Sequence, residues 1–120
     1  MSLLVLDTSA VIAYARGSVD VGEPIAEVHS EGGTVLVPDV CLIEAASRVG
    51  DDMPRLLLEH PACELEPLSL KHWPALAAAR TLGRLDLAAA LHVAALGQGY
   101  ILTGEPAAYG VLGEDLVIPI

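Results

Sequence analysis

Short uninterrupted apolar runs alternate along the chain with longer stretches in which apolar residues recur every three or four positions. Leu3-Leu4-Val5-Leu6 is such a run; it predicts a strand buried on both faces and ends at Asp7. Thr8 or Ser9 then caps a helix reaching about Arg16, where Gly17 stops it. A loop over Gly17–Gly22 leads to Pro24 in a first helical turn, with Ile25, Val28 and His29 on one face, until Gly32-Gly33. Thr34-Val35-Leu36-Val37 is a second buried strand closed by Pro38, and Asp39 caps a helix through Val49. Another helix opens at Asp51-Asp52-Met53-Pro54 and stops near His60-Pro61. Cys63-Glu64-Leu65-Glu66 alternates like a strand near a sheet edge. Ser69 begins a helix through Leu82, with Pro74 confined to its first turns. Asp86 starts the Ala-rich helix Leu87–Leu96, which Gly97 and Gly99 terminate. Tyr100-Ile101-Leu102 and Leu116-Val117-Ile118 are two further strands.

Strands alternating with helices imply parallel pairing through right-handed crossovers. The expected architecture is one α/β domain over residues 1–120, a three-layer α/β/α sandwich around a parallel sheet of four or five strands. In such sheets function gathers at the carboxyl ends of the strands, where strand order reverses.

Composition narrows the function classes. Hydrophobic residues make up 53% of the chain, and glycine raises the combined share to about 62%, above the roughly 45–50% of ordinary domains. A disordered chain is excluded. The balance of 6 basic against 16 acidic residues, a formal charge of −10, also argues against nucleic-acid binding by bulk electrostatics. Cys41 and Cys63 lack C-x-x-C spacing and read as reduced core residues. The apolar N-terminal stretch has no preceding Lys or Arg and is interrupted by Asp7, a poor signal peptide. No run approaches the ~18 apolar residues of a membrane span. A cytoplasmic protein with no membrane contact is expected, and the apolar excess points to a surface covered in a homodimer or by a partner segment.

Four acids occupy positions that this topology would gather. Asp7 directly follows the first strand, and Glu44 lies about one and a half turns into the helix after the second. Asp86 opens the helix preceding the fourth strand, and Glu105 follows that strand's end. Carboxylates converging at one rim repel one another and are costly to bury ionised without a counter-charge. A hard divalent cation resolves the conflict, and oxygen-only ligation suits Mg²⁺ or Mn²⁺. Such an ion lowers the pKa of bound water and clamps phosphate oxygens, the chemistry of phosphodiester hydrolysis. Each acid also has an ordinary reading: Asp7 and Asp86 as helix caps, Glu44 paired with Arg48 at i,i+4, Glu105 as a solvated loop residue. The histidines (His29, His60, His72, His92) show no ligand spacing and read as surface or half-buried groups. Tyr14, Trp73, Tyr100 and Tyr109 are too scattered for a base-stacking platform.

Taken in order, four segments resemble a PIN domain, closest to the small VapC-type toxin ribonucleases. They are Leu-Val-Leu-Asp7-Thr8-Ser9-Ala-Val-Ile, Pro38-Asp-Val-Cys-Leu-Ile-Glu44-Ala, Leu85-Asp86-Leu-Ala-Ala-Ala-Leu-His-Val-Ala and Ile-Leu-Thr103-Gly104-Glu105. The resemblance covers nearly the whole chain. It implies a Rossmann-like fold and a Mg²⁺- or Mn²⁺-dependent endoribonuclease, often dimeric and commonly inhibited by a small antitoxin. It further implies that Asp7, Glu44 and Asp86 are catalytic and hold metal. Ser9 and Thr103 match the supporting hydroxyls, and Glu105 takes the fourth metal-site position, where the family usually has Asp or Asn. Arg48 and Arg84, with Arg16, lie in segments that could meet the RNA. A second reading is a PIN-like binding or regulatory module with impaired turnover, motivated by Glu105 and the acidic surface. A receiver domain is disfavoured because Asp7 is a single acid and Lys71, the one lysine, opens a helix; a haloacid-dehalogenase-type phosphatase would need an acid where Ser9 stands.

Overall fold

The computed structural model describes residues 2–120. Five strands form one all-parallel sheet in the order β3-β2-β1-β4-β5. They are β1 (Leu3–Leu6), β2 (Thr34–Pro38), β3 (Cys63–Glu66), β4 (Tyr100–Thr103) and β5 (Val117–Pro119). The chain builds outward from β1 through β2 to β3, then crosses over to place β4 and β5 on the other side. Strand order therefore reverses between β1 and β4.

Helices cover both faces. Leu4, Leu6, Val35, Val37, Cys63 and Leu102 point toward α1 (Thr8–Ala15), α2 (Val19–Ser30) and α4 (Asp52–Glu59). The alternate residues Val5 and Ile101, with Leu36 and Val117 beside them, point toward α5 (Trp73–Ala79) and α6 (Leu85–Gly97). Alternation along each strand thus divides one continuous apolar run between two cores. The helix α3 (Asp39–Val49) sits at the rim and serves both, sending Ala45 to the first core and Cys41 to the second. The small residues Ala88, Ala90 and Ala94 let α6 lie close on the sheet. Where α6 turns into β4, a Cβ on Gly99 would stand 2.8 Å from the Leu3 carbonyl oxygen, so only glycine permits that approach.

Several expected boundaries shift for identifiable reasons. The helix α2 begins at Val19, so there is no loop to Gly22 and Pro24 lies inside the helix. Burial of Val21, Ile25 and Val28 at helical spacing outweighs the backbone bond that Pro24 removes. The long helix expected over Ser69–Leu82 is broken into a 3-10 turn (Leu70–His72), α5 and a second 3-10 turn (Arg80–Leu82). A helix begun at Ser69 would carry Pro74 in its interior; restarting at Trp73 puts that proline in the first turn. The last strand runs one residue later than expected, and a 3-10 segment (Pro106–Gly113) lies before it. Among the described residues no helix is long and apolar enough to cross a membrane.

Candidate active site

Asp7 ends β1 at the centre of the sheet, beside the reversal point, and is 1% exposed. It is itself the cap of α1, in place of Thr8 or Ser9: its extended backbone lets Oδ1 accept from the Ala10 amide at 3.0 Å. The Ser9 hydroxyl also donates to Oδ1, at 2.7 Å. Because that proton is committed, the Thr103 hydroxyl, 3.2 Å away, must donate to Ser9 Oγ. Thr103 Oγ1 accepts from the Glu105 amide at 2.9 Å, and Ser9 Oγ from the Gly104 amide at 2.8 Å. A directional chain therefore runs from the end of β4 through two hydroxyls to Asp7.

The other oxygen of Asp7, Oδ2, accepts from the Tyr109 hydroxyl at 2.8 Å. Tyr109 is completely buried; burial and the nearby carboxylates of Asp7 and Asp86 hold its phenol protonated, so it keeps the proton it donates to Asp7. Sequence reasoning missed this residue. Its only signal was a lone tyrosine in an apolar segment after the fourth strand.

Asp86 lies in the first turn of α6 and is not its cap; Arg84 occupies that position in extended backbone. Asp86 Oδ2 accepts from the Thr8 hydroxyl at 2.6 Å and from Arg84 Nη2 at 2.7 Å, while Oδ1 accepts from Arg84 Nε at 3.1 Å. The same guanidinium reaches Glu105, with Nη1 at 2.9 Å from Oε2. Burial disfavours the ionised form of Asp86, but the Arg84 and Thr8 bonds prevail and hold its carboxyl below the usual range. The bond to Asp86, with that to Glu105, pushes the Arg84 guanidinium further toward its charged form. The Cys41 thiol donates to the Asp86 carbonyl at 3.4 Å; burial and the nearby acids keep it protonated.

The structure thus joins Asp7, Ser9, Thr103, Glu105, Arg84 and Asp86 into one connected group, the link being Glu105, whose amide bonds Thr103 and whose carboxylate bonds Arg84; Thr8 and Tyr109 attach to Asp86 and Asp7. Glu44 and Arg48 stay outside its bonded network. Glu44 is exposed on α3 and makes no ion pair with Arg48, so its ordinary alternative, an i,i+4 pair, does not form either. Arg48 instead lines an open cleft of about 450 Å³ together with Arg16 and Ser9. Asp39, expected as a cap, turns its Oδ2 to accept from the Leu68 amide at 3.0 Å and ties down the segment after β3.

Among the described residues no group of three or more His, Cys, Asp or Glu side chains is spaced to hold a metal ion. The position between Asp86 and Glu105 is filled by the Arg84 guanidinium, which supplies the counter-charge expected of a cation. The donor chemistry itself fits a hard divalent ion, since Asp7, Asp86 and Glu105 offer only oxygens. Holding such an ion requires Arg84 to leave the carboxylates.

No protein-family model matches the chain, and no curated protein matches it.

Proposed function

We propose that the chain is a PIN-type endoribonuclease that hydrolyses RNA phosphodiester bonds with Mg²⁺ or Mn²⁺, acting as the toxin of a toxin–antitoxin pair. The observation that carries this reading is the gathering of Asp7, Asp86 and Glu105, from three separate segments, at the point where strand order reverses. Asp7, Asp86 and Glu105 would hold the cation once Arg84 swings away, with Glu44 approaching from α3. When bound, the ion supplies an acidified water and neutralises charge on the phosphate.

The chain's own residues prepare that chemistry. Ser9 and Thr103 fix the Asp7 carboxylate through their directed hydrogen bonds, and Tyr109 fixes it from below. Arg16 and Arg48, flanking the cleft that opens at Ser9, offer two cations to the phosphates on either side of the cut bond. Arg84, released from Asp86, becomes a third. Exposed Ile43, with Leu42 and Leu58, lines a groove between α3 and α4 and supports association with a second copy or a companion segment.

The Arg84 bridge specifically favours a second reading, a binding or regulatory module whose acids are neutralised internally. Cleavage of structured RNA separates the two. Wild type cleaves with Mn²⁺ or Mg²⁺ and stops with EDTA, and Asp7→Asn lowers the rate about a hundredfold or more. Equal rates for the two proteins overturn the nuclease assignment. No cleavage by either wild type or Arg84→Ala leaves the module.

A further inference from the structure

The helical layer over one face of the sheet is incomplete. Above β2 and β3, on the side of α5 and α6, an indented cavity of about 170 Å³ lies between Leu36, Leu76 and the α6 stripe of Ala89, His92 and Val93. Two of the residues that line it each carry a buried polar atom, Asp39 Oδ1 and His92 Nε2, with no hydrogen-bond partner among the described residues. Such groups are costly to bury unpaired, and they point to a ligand that completes them. The His72 ring lies against the His92 ring, centroids 4.6 Å apart, and gives the cavity a flat aromatic wall.

Its position relates it to the acids. Continuing the β1–β2 register from Val5 opposite Leu36 sets Asp7 level with Pro38, so Asp39 emerges one strand spacing, ~4.8 Å, to the side. Asp86 and His92 share α6, about 9 Å apart along its axis. Charge dictates which part of an RNA would enter. The cavity is lined by Asp39 and Glu66, and none of its lining residues is Lys or Arg, so a phosphate is repelled and a base is admitted. Burial, and after it the neighbouring His72, lower the His92 pKa, leaving a neutral imidazole suited to stacking and hydrogen bonding.

We infer that this cavity is a base-binding pocket that takes an unstacked guanine of the RNA strand, deepening the nuclease reading on which it rests. Guanine sets the N1 and N2 donors side by side against Asp39 Oδ1 and turns the O6 and N7 acceptors toward His92 Nε2–H. Its ring stacks on His72. Uracil places its single N–H donor between two carbonyls, which sets an acceptor against the carboxylate. The pocket therefore prefers guanine.

The test follows the four histidine side-chain resonances by NMR, without metal, during titration with guanosine monophosphate and, as the matched control, uridine monophosphate. Guanosine monophosphate shifts His72 and His92 at millimolar concentration and leaves His29 and His60, a separate edge-to-face pair, unmoved. Uridine monophosphate binds at least severalfold more weakly. Asp39→Asn weakens guanosine monophosphate about tenfold. Should loss of the Leu68 bond unfold that variant, His72→Ala serves instead and weakens binding severalfold. No movement of His72 and His92 up to about 10 mM, equal response to both nucleotides, or shifts shared by His29 and His60 overturn the pocket. Binding here with no cleavage of RNA defeats the hydrolysis and leaves the pocket standing; cleavage with no binding does the reverse.

Discussion

Two neighbouring regions at the carboxyl edge of the sheet treat buried polar groups in opposite ways. At the tip of β1, the Asp7 and Asp86 oxygens all have donors within the chain, and one guanidinium bridges Asp86 and Glu105. One strand away, among the described residues, Asp39 uses one oxygen and leaves the other unpaired, and His92 Nε2 is likewise unpaired. The first region is complete as it stands, so new chemistry there proceeds by exchanging one partner for another. The second has hydrogen-bonding capacity still to use. Saturation and exchange belong to the acids; recognition belongs to the cavity.

The sharpest way to break this contrast is at Tyr109. Tyr109→Ala removes a fully buried ring and the donor to Asp7 Oδ2, with an expected loss of about 3–5 kcal/mol. Tyr109→Phe keeps the ring and loses only the donor to a carboxylate, about 1.5–3 kcal/mol. Urea denaturation measures both; a Phe variant as stable as wild type would mean that Asp7 does not depend on its internal partners.

Arg84→Ala comes next. The guanidinium side chain is 35% exposed, so its bonds are partly screened, and about 1–2 kcal/mol is the expected cost. The variant leaves Asp86 and Glu105 facing each other, so Mn²⁺ should raise its melting temperature more than that of wild type. Thermal unfolding in EDTA and in Mn²⁺ shows this. Identical increments in both proteins would mean that arginine and cation do not compete.

How far these regions were legible in the sequence follows from the range of the interactions. The apolar run before Asp7 marks a central strand, and the order of strands and helices yields a parallel sheet with helices on both faces. Asp7 and Glu105 follow from their places at strand ends, and Ser9 and Thr103 from the resemblance of their motifs to those of PIN domains. Tyr109 does not, because it meets Asp7 across 102 residues and no local pattern encodes that pairing. Arg84 reads as a cation within reach of the RNA, while its bridge from Asp86 to Glu105 has no local signal. Its extended backbone, φ −138°, folds the side chain back onto Asp86 two residues later, a conformation that spacing alone does not reveal. The cavity was invisible for a related reason: Asp39 matched a helix cap so well that its bond to the Leu68 amide, on another segment, had no signal.

The smallest effect is expected at His92. Its folded pKa is lowered by burial and then by His72, so the unfolded chain takes up a proton first as pH falls. Its contribution to stability is therefore present above about pH 6.5, the unfolded value, and fades as pH drops below it. The carboxylates of Asp39 and Glu66 line the same cavity and moderate the decline. His92→Gln should flatten the urea midpoint between about pH 7 and pH 5.5 relative to wild type. An unchanged slope would place His92 in open solvent and weaken the contrast from the cavity's side.

The two margins of the sheet carry a last consequence. β3 bears Glu64 and Glu66 on alternate positions, and β5 is three residues long and ends in Pro119. Neither border offers a clean ladder for strand addition, which protects so apolar a chain from aggregating edge to edge. That leaves the helical flanks, away from the sheet's own hydrogen bonds, as the surfaces open to another chain.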